Sequence, residues 1–155
     1  MRRFTPFLLV ACAALIAAGC GDDTAKRRNA YADAVNRAQS DFAQSFKTLS
    51  ERITSTTTPG QGRRTLQGFE NAVDDVVADL RAIPAPADVQ PLHRRLITEI
   101  SDYGREIRRA KRAFATGAPQ RILDAQSKLV SATTRISSRI NRTIAAINRQ
   151  LQAQT

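Results

Sequence analysis

Leu66, Phe69, Val73, Val76, Leu80 and Ile83 follow one another at intervals of three, four, three, four and three residues. A strand returns its side chains to the same face at every second residue, so this spacing lines up apolar groups only on one side of a helix. Three further runs repeat the pattern. The first links Tyr31, Val35, Ala38, Phe42, Phe46, Leu49 and Ile53; the third links Leu92, Leu96, Ile100, Tyr103, Ile107, Ala110 and Phe114; the last runs from Ile122 through Leu129, Ile136, Ile140, Ile144 and Ile147 to Leu151. No stretch of useful length alternates polar with apolar residues.

The runs are separated by residues that stop helices. The Ser/Thr cluster from Thr54 to Thr58, with Pro59-Gly60-Gln61-Gly62, is expected to end the first helix, and Pro84-Ala85-Pro86 the second, because proline lacks the amide hydrogen and restrains the residue before it. Asp88 is placed to cap the third helix, with Pro91 tolerated in its first turn. Thr116-Gly117-Ala118-Pro119 joins a glycine stop to a proline start. Four amphipathic helices with short connections predict an all-α fold, an antiparallel up-down-up-down four-helix bundle over residues 25–155.

The first 20 residues follow another rule. Arg2 and Arg3 precede an apolar run from Phe7 to Ala18, and small residues follow just ahead of Cys20. That is the layout of an export signal. The run is short of the roughly 20 apolar residues that a membrane-spanning helix needs. Cys12 would leave with such a signal, so the mature chain would keep Cys20 alone. An exported protein with a single cysteine has no internal disulfide, and its thiol needs another use.

Ile16-Ala17-Ala18-Gly19-Cys20 resembles the lipobox of bacterial lipoproteins. The resemblance implies that residues 1–19 are a cleaved signal peptide and that Cys20 becomes the first mature residue, carrying a diacylglyceryl thioether. Residues 20–24 would then form a short tether, and the bundle would be lipid-anchored at the extracytoplasmic face of a cell membrane. The chain as a whole looks like small, uncharacterised helical lipoproteins of high-GC Gram-positive bacteria. An ordinary signal cut near Gly19 is the alternative, and it would leave Cys20 a free thiol.

The resemblance transfers no activity, so function rests on the remaining residues. His93 is the single histidine, and Gln90 stands where a Glu-x-x-His metal pair would need a carboxylate; an edge-of-core histidine with a satisfied hydrogen bond is expected, and no metal. Glu70, Asp74, Asp75 and Asp79 form an acidic side of the second helix, read as a solvated face or as partners for arginines of a neighbouring helix. Serines and threonines are plentiful, but no base and orienting group accompany them. No catalytic residue, no enzymatic activity and no cofactor is therefore expected.

Charge supplies the remaining signal. The whole chain carries +10, and without Arg2 and Arg3 the mature part would carry +8. Arg135, Arg139, Arg142 and Arg149 share one face of the fourth helix, turned away from its apolar stripe, and no acid follows Asp124. Arg94, Arg105, Arg108, Arg109 and Arg112 cluster on the third, diluted by Glu99, Asp102 and Glu106. Arginine faces attract polyanions, but the interleaved aromatics of a single-strand nucleic-acid platform are missing, and nucleic acid is not an expected partner outside the cell. The expected role is an envelope interaction module, with anionic lipid, an acidic envelope polymer or an acidic protein as partner. The alternative is a carrier or sensor that opens the bundle around a small apolar ligand.

Overall fold

The computed structural model describes residues 23–50 and 58–153, and the signal segment with Cys20 lies outside the described residues. Four helices make up the fold: α1 (Asp23–Ser50), α2 (Pro59–Ala82), α3 (Gln90–Ala115) and α4 (Pro119–Gln152). Each packs on the next in the chain, giving the antiparallel four-helix bundle. All four coincide with the apolar stripes. The first begins at Asp23, two residues ahead of the expected boundary; of its stripe, the side chains of Phe46 and Leu49 and all of Ile53 are outside the described residues.

The stripes meet in one core. Leu80 and Leu96 are fully buried, and Val73 and Ile107 nearly so; Tyr31, Val35, Ala132, Ile136 and Ile147 complete the cluster from α1 and α4. Burying each large aliphatic side chain stabilises by about 1.5–3 kcal/mol relative to leaving it exposed, and such packing of an apolar face supplies most of a helix's stability in a folded protein.

Two connections differ from their sequence reading. Pro59-Gly60-Gln61-Gly62 does not end a helix; it is the first turn of α2. Thr58 makes this possible as N-cap, accepting from the Gln61 amide at 3.3 Å while the Gln61 side chain accepts from the Thr58 amide at 2.8 Å. This reciprocal pair satisfies two otherwise unpaired backbone donors. Gly62 also has a packing role, since a Cβ there would stand 2.7 Å from the Phe114 ring of α3.

Asp88, expected to cap α3, does not do so. The cap position falls to Val89, fully buried and without a side-chain cap bond, while the Asp88 carboxylate pairs with Arg28 of α1 at 3.3 Å. Burial of Val89 draws the chain one residue further before it turns. Asp88 then serves as a strap across the end of the bundle. At the other end, Gly117 takes φ +66° between α3 and α4, a conformation that costs glycine no Cβ clash.

Candidate functional site

Antiparallel packing places the arginine face of α4 alongside the arginines of α3. The groove between the two helices has an upper stretch walled by Arg105 and Glu106 of α3 and by Arg135, Arg139 and Arg142 of α4, with Asp102 between them. Asp102 accepts from Arg139 at 2.7 Å and also from Arg105. Among the described residues, no carboxylate pairs with Arg135 or Arg142, both exposed. The Arg139 Nε is buried without an acceptor, so the one neutralised arginine that α4 contributes to this stretch still holds an unused donor. Arg149 is exposed two turns beyond Arg142 on the same face.

The α3 cluster does not stay together. Arg108 turns to the opposite neighbour, toward Glu70 and Asp74 of α2 at 3.6 and 3.7 Å. Lys111 joins it on Glu70. Half of the acidic side of α2 thus partners a neighbouring helix, while Asp75 and Asp79 stay exposed. Arg94 is exposed near the start of α3, away from the groove. Arg109 is held by Glu106 at 2.8 Å, and Arg112 remains beside it.

A lower stretch of the same groove escaped the sequence reading. Arg109 and Arg112 of α3 face Arg121 and Lys128 of α4 across Ala110, Ala113 and Ala125, with Asp124 as the α4 acid. Glu106 borders both stretches. Arg121 and Lys128 fall on the side of α4 that carries Arg135, Arg139 and Arg142, at 100° per residue. Their opposition to Arg112 depends on the α3/α4 register, which no periodicity reveals.

Among the described residues, three of the four buried polar or charged side chains, His93, Glu99 and Thr143, fall into two hydrogen-bonded sets. His93 is buried, with Nε2 2.9 Å from the Leu80 carbonyl and Nδ1 3.1 Å from the Tyr31 hydroxyl. A carbonyl can only accept, so Nε2 carries the ring hydrogen, and in the neutral ring Nδ1 accepts from Tyr31. Burial lowers the His93 pKa below its ordinary 6.5, opposed in part by the Leu80 bond, and pushes the Tyr31 hydroxyl up to about 12. This is the satisfied edge-of-core histidine that the sequence suggests.

Glu99, one of the three acids that dilute the α3 arginines, is buried. Its carboxylate accepts from Thr143 of α4 at 2.8 Å and from Arg95 at 3.0 Å. One turn before Tyr103, it sits beside the apolar stripe, which is the signal that would have found it. Among the described residues no three His, Cys, Asp or Glu side chains gather as a metal site, and no helix is long and apolar enough to cross a membrane.

The histidine is occupied at both nitrogens, and the Glu99 carboxylate accepts from Thr143 and Arg95; the α3/α4 groove carries positive charge on both of its walls. No protein family, curated protein or solved structure matches this chain.

Proposed function

We propose that this chain is a lipoprotein held by Cys20 at the extracytoplasmic face of a membrane, and that it binds an anionic envelope partner through its basic helix faces, without catalysing a reaction. The observation that carries the binding half is the unneutralised pair Arg135 and Arg142, flanking Arg139 on the wall of the α3/α4 groove. Exposed arginines with no internal partner contribute nothing to folding that a neutral side chain could not. They stay available for charge-assisted bonds to an outside oxyanion.

Support for the anchoring half is the export-signal layout and the lipobox-like letters before Cys20. Two acyl chains hold a protein stably where one is marginal, at about 0.8 kcal/mol per buried CH2. With α1 starting at Asp23, only Gly21 and Asp22 separate the helix from the modified cysteine. The end of the bundle formed by the start of α1 and the Ile83–Val89 connection would then lie nearest the headgroups.

One experiment on cells tests both halves, comparing the full chain with Cys20→Ala and with R135E/R139E/R142E by membrane fractionation and recovery of bound envelope material. Cys20→Ala is expected to leave the membrane fraction and to escape lipid processing. The triple reversal is expected to remain anchored and to lose its bound material. A Cys20→Ala protein that stays membrane-bound with unchanged processing overturns the anchor; equal recovery by the triple variant overturns the basic-face reading.

A further inference from the structure

We infer that the α3/α4 groove is a track for one linear anionic polymer that occupies its lower and upper stretches together. The inference rests on the basic-face reading above and names the class of partner. Eight cationic side chains against three carboxylates line the two stretches. Five of the eight, Arg112, Arg121, Lys128, Arg135 and Arg142, have no ion-pair partner among the described residues. From Arg121 to Arg142 the wall extends along α4 for about 30 Å at 1.5 Å per residue. A single phosphate or carboxylate could touch only one end of it.

The shape selects among larger anions. Alanines 110, 113 and 125 form much of the lower floor, and Ala132 continues it above; small residues leave a trough into which a thin chain can descend, with cations on both sides. A flat bilayer would meet only the ridges of the two helices. A folded acidic protein would seek apolar and aromatic anchor pockets at the centre of its interface; this trough has no aromatic side chain, and its two large aliphatics, Leu129 and Ile136, are half-buried and buried, which leaves mainly alanine and charge on offer. A flexible chain of repeating oxyanions meets both walls, and each repeat held raises the local concentration of the next.

The test uses the full chain purified in non-ionic detergent, with triphosphate and long-chain inorganic polyphosphate as probes, and with vesicles of equal parts phosphatidylglycerol and phosphatidylcholine as the bilayer arm. Per molecule, long-chain polyphosphate is expected to bind about 100-fold or more tightly than triphosphate, and added salt should weaken it more steeply. Reversal of the lower stretch, R112E/R121E/K128E, and separately of the upper, R135E/R139E/R142E, should each remove most of that gain. Matched helical circular dichroism and melting curves establish that the variants fold.

A long chain bound no better than triphosphate, or unaffected by the lower reversal, overturns the track while the basic-face reading stands on its own triple variant. Vesicle binding without polyphosphate binding makes the bilayer the occupant and also overturns it. Polyanion binding of either kind that survives both triple reversals would remove the track and the basic-face reading together.

Discussion

Leu96→Ala is expected to destabilise the protein by about 2–5 kcal/mol. Leu96 has no exposed surface and belongs to the central cluster that joins α3 to the other helices. Truncation removes the transfer free energy of the lost carbons and leaves a cavity whose lining loses its dispersion contacts. Rigid helices with bonded backbones collapse poorly into such a space. A loss of about 3 kcal/mol corresponds to a melting midpoint roughly 10 °C lower for a domain of this size.

Leu123→Ala provides the contrast. This leucine is 59% exposed on α4, and its truncation should change stability by no more than about 0.5 kcal/mol. Urea unfolding followed by circular dichroism measures both variants in one format. If the two midpoints shift equally, the stripe through Leu96 is not the core of the fold. A change confined to the Leu96 variant ties stability to the residues whose spacing first indicated a bundle.

Much of the architecture was legible because helix periodicity and proline placement act locally. The apolar stripes required only the 3.6-residue period, and each appears on a helix of the fold. What local rules could not supply was competition between neighbouring signals. Pro59 and the glycines after it look like a breaker, yet the capping box at Thr58 turns the same proline into a helix start. Asp88 has the chemistry of a cap, but burial of the adjacent Val89 and the reach of Arg28 decide its role instead.

The candidate site was legible by halves for a related reason. Residues of one helix face are fixed by one chain's period, so Arg135, Arg139, Arg142 and Arg149 could be grouped from sequence alone. Their neighbours across the groove depend on how α3 slides against α4. That register brings Asp102 to Arg139 and sets Arg112 opposite Arg121 and Lys128, while the packing of α3 on α2 draws Arg108 to the other side. The same register buries Glu99 against Thr143, which counting charges along one helix does not reveal.

Acidification is expected to weaken the fold through His93, and His93→Leu should remove that part of the pH dependence. The sign follows from the lowered pKa: below about pH 6.5 the unfolded chain takes up a proton that the folded ring still refuses. The stability contributed by the neutral ring is therefore complete above that pH. It is lost as pH falls toward the folded-state pKa, and the loss levels off below it. Melting midpoints measured between pH 8 and pH 5 should drop more for the parent protein than for His93→Leu.

At neutral pH the substitution has a cost of its own, which a second change can reverse. Leucine fills a comparable volume, and the Leu80 carbonyl keeps the Ile83 amide at 3.2 Å as donor. The Tyr31 hydroxyl, in a side chain only 2% exposed, loses its acceptor, and an orphaned buried hydroxyl costs about 1–3 kcal/mol. Tyr31→Phe added to His93→Leu removes the orphan, so the double variant should recover most of the loss, because replacing both partners with apolar groups of similar shape is nearly neutral. A double-mutant cycle on urea midpoints reads this coupling directly. Simple additivity of the two substitutions would mean that the 3.1 Å contact holds α1 to α3 by packing alone, whereas a positive coupling identifies the Tyr31–His93 bond as the polar lock between them.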